Sequence, residues 1–224
     1  MDLMLAAFGS FWIPALAAAA IAYFCGCFNG AVIVSKYILR DDVRNHGSGN
    51  AGLTNFYRTF GGPLTFVVIL TDVLKAVVAV LVSVALFRIC ILEEFPVLVL
   101  ARYWGGLFCL LGHMFPCMFG FKGGKGILSG GTVALMIDWR VALVVWGGFL
   151  VLAVLTKYVS LGSVLSAGSF GFIYAWVHPD AGVFPIAVAL FLSAMVVWMH
   201  RANIVRLVKG QERKTNLLKK GKQS

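Results

Sequence analysis

The 224 residues are 60% hydrophobic and only 12% charged, with a mean hydropathy of +0.91. A soluble exterior cannot be built from so little charge, so lipid must solvate most of the surface, and the size suits one compact bundle of membrane helices. The net charge of +10 comes from 19 Lys and Arg against 9 Asp and Glu that flank apolar stretches; this excludes a basic soluble nucleic-acid module and fits anionic lipid or anionic ligands.

An α-helix needs about 20 apolar residues to cross the hydrocarbon. The first such stretch is 11–35. Its Ala-rich run from Ala15 to Ala20 imitates a signal-peptide core, but Asp2 stands where positive charge belongs and the apolar stretch continues well beyond. We read it as a retained span. Next comes Arg44-Asn45-His46-Gly47-Ser48-Gly49-Asn50-Ala51-Gly52-Leu53-Thr54-Asn55, with Arg58 one helical turn after Thr54. Glycines at 47, 49 and 52 permit positive φ, successive amides can form an anion nest, and Ser48, Asn50, Thr54 and Asn55 add neutral donors. The plain alternative is a Gly/Asn/Ser turn between helices, in which His46 merely orients the loop.

The second span, 62–87, contains Asp72 and Lys75 at i,i+3. A lone charge in lipid is costly, so these two are expected to pair. A third span at 95–112 runs into Gly112-His113-Met114-Phe115-Pro116, then Phe119-Gly120-Phe121-Lys122-Gly123-Gly124-Lys125-Gly126. A nucleotide-binding P-loop would need G-x-x-x-x-G-K-[ST], whereas position 119 is Phe and Gly126 follows the lysine. Nucleotide hydrolysis is disfavoured. The Gly-Gly-Lys-Gly turn still offers amides, a helix start and an ammonium group, while Lys122 reads as a headgroup anchor.

Further apolar stretches occupy 127–137, 141–156, 161–177 and 182–199, the first of them short for a crossing. The last leads into His200-Arg201-Ala202-Asn203-Ile204-Val205-Arg206-Leu207-Val208-Lys209-Gly210-Gln211-Glu212. If helical, it sets His200, Asn203 and Arg206 on one face. A basic amphipathic helix on anionic lipid accounts for the later lysines but not for Asn203 and Glu212. Cys25, Cys27, Cys90, Cys109 and Cys117 lie in or beside apolar segments without zinc-type spacing and read as small buried side chains. His178 and Trp176 read as structural.

Most basic residues fall in 36–60, 113–126, the turn at Lys157 and the tail from Arg201. The alternate connections carry Glu93, Glu94, Asp138 and Asp180. The positive-inside rule then places the first set in the cytoplasm. The expected architecture is an all-α polytopic bundle, a single domain over 1–224 with about seven transmembrane helices, the N-terminus outside and the C-terminus cytoplasmic. The three polar segments then open on one side.

Together the three segments resemble the bacterial acyl-phosphate:glycerol-3-phosphate acyltransferase family (PlsY). Gly47 to Arg58 is similar to that family's G-S-G-N-x-G-[AV]-T-N-x-x-R except at Leu53. Gly112–Pro116 with Phe121–Gly126 matches G-H-x-F-P and F-x-G-G-K-G, and His200 to Glu212 matches H-x-x-N-I-x-R-L-x-x-G-x-E. The stretch Thr156 to Ser163 is also similar, while Ile127-Leu128-Ser129 departs from the usual V-A-T.

The resemblance implies transfer of a fatty acyl group from acyl phosphate to the 1-hydroxyl of glycerol 3-phosphate, in a bacterial cytoplasmic membrane and beside membrane lipids, without metal, cofactor or nucleic acid. No histidine is followed five positions later by Asp, and no Ser-His-Asp or Cys-His arrangement stands out. Direct attack on the activated anhydride is therefore expected. The candidate catalytic residues are Lys125, His200, Asn203 and Ser160. The candidate substrate-binding residues are Ser48, Gly49, Asn50, Gly52, Thr54, Asn55, Arg58, His113, Gly123, Gly124 and Glu212. A small-anion membrane transporter is the alternative from another class, although no internal repeat supports it.

Overall fold

The computed structural model describes residues 2–90 and 95–215, with side chains from 11–90 and 97–215. Glu93 and Glu94, and the lysines at 219, 220 and 222, lie outside the described residues. No strand occurs among the described residues, and the helices form two compact units, Met1–Ile137 and Asp138–Ser224.

In the first unit, α1 (Asp2–Cys27), α4 (Leu64–Cys90) and α5 (Phe95–Met114) pack mutually, and α6 (Ile127–Ile137) lies against α4 and α5. In lipid there is little hydrophobic drive between helices, so close backbone approach must hold them together. The sequence supplies small residues for this. Ala15, Ala18 and Ala22 form a buried stripe on α1, and Ala76 and Ala79 do the same on α4. At the α1–α5 crossing Gly26 meets Gly112; a Cβ on Gly112 would lie 3.0 Å from the Gly26 Cα, and a Cβ on either would overlap a facing carbonyl. Trp104 Nε1 adds a 2.7 Å hydrogen bond to the Ala15 carbonyl.

The expected first span is not continuous. After α1 the chain bends by 42° at Phe28–Asn29 before α2 (Gly30–Ile33) and a π-helical turn over Val34–Ile38. Asn29, fully buried, enforces the break: its Oδ1 caps α2 at Val32 N (3.1 Å) and its Nδ2 donates to the Ala51 carbonyl (2.9 Å). A short helix, α3 (Leu53–Thr59), then leads back to α4.

In the second unit α7 (Trp139–Thr156) and α8 (Val159–Val177) form a hairpin, and α9 (Val183–Met199) packs on α8. Gly171 permits the α8–α9 crossing, since a Cβ there would lie 2.7 Å from the Leu190 Cα. One end of the unit is tied by Asp138, which caps α7 at the Arg140 and Val141 amides and meets His178. Arg140 and His178 hold the Asp138 carboxyl well below the usual carboxylate range, against the opposing effect of its burial. His178 is structural, as expected. At the other end Thr215 N donates to the Lys157 carbonyl at 2.8 Å.

Four helices, Leu64–Cys90, Val97–Phe119, Trp139–Thr156 and Val159–Val177, are long and apolar enough to cross a membrane. Two bent pairs, Phe11–Cys27 with Gly30–Ile38 and Val183–Met199 with Arg201–Val208, bring the number to six if each pair is one span. The apolar side chains exposed on α7, among them Leu143, Val144, Leu150, Val151 and Leu155, are what a lipid-facing helix presents. The remaining expected span, α6, has 11 residues, and at about 1.5 Å per residue it is shorter than the hydrocarbon is thick.

Candidate active site

The first two motifs adjoin within the first unit. Arg44 donates through Nη1 to the Phe119 carbonyl (2.7 Å) and to the Lys122 carbonyl (3.3 Å), while its Nε and Nη2 grip the Asp42 carboxylate. That pairing holds the Asp42 carboxyl low and the guanidinium high. Ala51, in the first motif, approaches Gly124 in the second: a Cβ on Gly124 would lie 2.9 Å from the Ala51 carbonyl oxygen.

The 46–52 loop closes around Asn55. Its Nδ2 donates to the carbonyls of Val43, His46 and Asn50, each at 3.0 Å, and its Oδ1 accepts from Ser48 N at 3.0 Å. One buried carboxamide thus organises the motif. Gly47 (φ +59) and Gly49 (φ +69) take the left-handed conformation expected of them. Gly52 does not: its φ is −128, extended backbone, and it stands at the N-cap of α3. His46 pairs with Asp41 at 2.8 Å and so orients the loop. Ser48 and Arg58 are exposed, and Asn50 and Thr54 are half-buried.

The second motif uses its glycines differently from the expectation of amide donors for an anion. Gly123 N donates to the Met114 carbonyl and Gly124 N to the His113 carbonyl, both at 3.1 Å. These amides are spent on the open end of α5, whose last carbonyls need donors. The absence of a side chain serves close packing, since a Cβ on Gly123 would overlap the His113 carbonyl and one on Gly124 would overlap His113 Nε2. We expect Gly124→Ala to lower the thermal unfolding midpoint of the detergent-purified protein, reflecting about 1–3 kcal/mol of overpacking. Gly130→Ala, whose Cβ would sit 3.6 Å from Leu110, should leave it unchanged. Lys125 emerges half-buried from this turn, immediately before α6.

Behind the turn lies a buried ionic cluster. Lys75 Nζ is 2.6 Å from Asp72 Oδ1, 2.6 Å from His113 Nδ1 and 3.1 Å from the Phe28 carbonyl. The Asp72–Lys75 pairing was legible as an i,i+3 charge pair in an apolar span. Its third member was not, because His113 is 38 residues away in sequence.

The third motif is organised in the second unit. His200 stands at the junction of α9 and α10 (Arg201–Val208), where the axis bends by 58°, and its backbone carbonyl accepts Asn203 N at 2.8 Å. Its Nδ1 donates to the Val196 carbonyl at 2.8 Å, which in the neutral ring leaves Nε2 as the acceptor nitrogen. Asn203 and Arg206 share a face of α10, as expected, and both reach Glu212. Asn203 Nδ2 donates to Oε1 at 2.9 Å, and Arg206 Nε donates to Oε2 at 2.8 Å. Burial raises the Glu212 carboxyl, but Arg206, Asn203 and nearby Ser160 together lower it further, so it is net depressed and ionised at neutral pH. Ser160 Oγ is buried and lies close enough to favour the carboxylate without meeting hydrogen-bond geometry. Among the described residues no group of three or more His, Cys, Asp or Glu could hold a metal ion.

Comparison with known proteins agrees with these motifs along nearly the whole chain. The family model described as glycerol-3-phosphate acyltransferase matches residues 16–210. A glycerol-3-phosphate acyltransferase of Clostridioides difficile (strain 630) is 41% identical over 199 residues, covering 88% of this chain and 93% of the relative. One from Pseudomonas putida (strain KT2440) is 34% identical over 203 residues, covering 91% and 98%. The crystal structure of PlsY (YgiH), an integral membrane glycerol 3-phosphate acyltransferase, in its glycerol 3-phosphate form superposes with a TM-score of 0.77 at 33% identity, covering 90% of this chain and 95% of that one. Its lysophosphatidic acid form gives 0.74 at 32% identity, covering 91% and 96%. The chain belongs to the glycerol-3-phosphate acyltransferase family.

Proposed function

We propose that this protein transfers a fatty acyl group from acyl phosphate to the 1-hydroxyl of glycerol 3-phosphate, releasing lysophosphatidic acid and inorganic phosphate, an early step in phospholipid synthesis. The observation that carries the reading is the junction of the first two motifs, where Arg44 fastens one polar loop to the turn bearing Lys125. Two phosphorylated reactants repel each other, and a site that unites them needs several cations and donors on one rigid frame.

The hydroxyl oxygen attacks the acyl carbonyl carbon, forming the ester C–O bond as the C–O bond to phosphate breaks. Phosphate departs with the bonding pair. The hydroxyl proton passes to a phosphate oxygen or to His200 Nε2, the ring nitrogen that its bond to Val196 leaves as the acceptor. No covalent acyl-enzyme is required, because the anhydride is already activated, and rate arises from positioning and charge stabilisation. Lys125 and Arg58 act as cationic clamps, and Ser48, Gly49, Asn50, Gly52 and Thr54 frame a phosphate. Ser160 and Asn203 act on the reacting groups. Asn55, His113, Gly123, Gly124 and Glu212 serve through the backbone and side chains they hold. We read the chain as a single catalytic domain.

We place the protein in a bacterial cytoplasmic membrane, with seven crossings that include the short α6, the N-terminus outside and the motifs cytoplasmic. The skew of basic residues supports this orientation. Purified protein incubated with acyl phosphate and labelled glycerol 3-phosphate should yield lysophosphatidic acid and phosphate in equal amounts, and acyl-CoA should not replace the donor. No product with several chain lengths, together with phosphate uptake into vesicles, would instead identify an anion transporter.

A further inference from the structure

We propose that Asp72 and Lys75 are positioning residues for the reaction: they fix His113 with its proton on Nε2 and, through it, the turn that presents Lys125. The inference rests on the role given above to Lys125.

All three side chains are buried, Asp72 at 1%, Lys75 at 6% and His113 at 3% exposure. Lys75 and Asp72 form a 2.6 Å ion pair, and Lys75 Nζ serves as the donor to every acceptor around it. Its three N–H bonds have three acceptors within reach: Asp72 Oδ1, the Phe28 carbonyl and His113 Nδ1. Nδ1 can accept only if the imidazole proton is on Nε2, because a proton on Nδ1 would point at the ammonium across 2.6 Å.

The far edge of the ring then meets the second motif, since Nε2 occupies the space a Cβ on Gly124 would need. The His113 carbonyl takes the Gly124 amide and the Met114 carbonyl takes the Gly123 amide, so residue 113 holds the turn by both ring and backbone. The same ammonium anchors the Phe28 carbonyl at the α1–α2 break, and the adjoining Asn29 donates to Ala51 of the first motif. A single buried cation thus sets the register of both motifs. Stability alone is a weak reason to keep it, since apolar replacement of a buried ion pair is often neutral or stabilising.

The test combines spectroscopy with kinetics. In ¹⁵N-histidine-labelled protein, with the His113 signals identified by their loss in His113→Asn, Nε2 should be protonated and Nδ1 should be the acceptor. The double variant Asp72→Asn/Lys75→Met keeps the charge balanced. It should insert and extract like the wild type, lose the single tautomer, and lower kcat about tenfold or more with KM for glycerol 3-phosphate within about threefold. Lys75→Arg should recover part of the loss. Wild-type His113 protonated on Nδ1, or a double variant with wild-type kcat, overturns the inference; the tautomer decides it even where the variant does not fold. Wild-type protein that makes no lysophosphatidic acid refutes the proposed reaction instead.

Discussion

Replacement of Lys125 by Ala should lower kcat for acyl transfer about a hundredfold to a thousandfold, the range for deleting one preorganised transition-state donor. Lys125 sits between two buried glycines, and the turn before it is bonded to the last carbonyls of α5. In the proposed reaction the ammonium would be delivered from a rigid backbone, and its field would cost no reorganisation as charge develops on a departing phosphate. Membrane insertion and helical content should be unchanged, because truncating a half-buried lysine outside the helices removes no core packing. Lys125→Arg should recover little, since a planar fork is not a point charge on a flexible stem. Turnover of Lys125→Ala, measured at saturating concentrations of both substrates, decides the matter; wild-type kcat removes the residue from the mechanism.

Asn55→Ala should act on substrate binding through the loop. It removes four hydrogen bonds, to the Val43, His46 and Asn50 carbonyls and from the Ser48 amide, although the Val43 and His46 carbonyls still accept from His46 N and Gly49 N. Ser48 is exposed and water can serve it, but the loop loses the carboxamide that ties its segments together, at about 0.5–1.5 kcal/mol for each hydrogen bond lost. The loop should then sample open conformations, seen as faster amide exchange over residues 47–51, and KM for glycerol 3-phosphate should rise about tenfold or more. Asn55→Asp should be nearly as damaging, because a carboxylate would face three carbonyl oxygens with no hydrogen to offer. Unchanged exchange together with unchanged KM in both variants would show that the loop does not depend on this carboxamide.

Much of this was legible in the chain itself. The long apolar stretches appear as α4, α5, α7, α8 and α9. The Asp72–Lys75 pair and the shared face of Asn203 and Arg206 are also as expected, because i,i+3 spacing on a helix is a local matter. The break in the first apolar stretch was not legible. It depends on Asn29 reaching Ala51 across 22 residues, and hydropathy averaged over a window passes over one buried polar side chain. Gly123 and Gly124 looked like anion donors because any glycine-rich turn before a helix does, until the end of α5 is seen to take their amides.

By itself the sequence determined an all-helical membrane chain, the family, and which segments carry polar chemistry. The helical membrane class and the polar segments follow from composition and from spacing along a few helical turns, because lipid compels the backbone to satisfy itself within each helix, and the family follows from the likeness of three motifs. Only the tertiary structure decided how the polar groups are spent. Arg44 reaches Phe119 across 75 residues, and Lys75 reaches His113 across 38. A donor's partner at such separation is chosen by packing, as of α4 on α5 for Lys75 and His113, and no local pattern encodes it. Asn55 thus became the frame of its loop, and the Asp72–Lys75 pair became the support for the turn that carries Lys125.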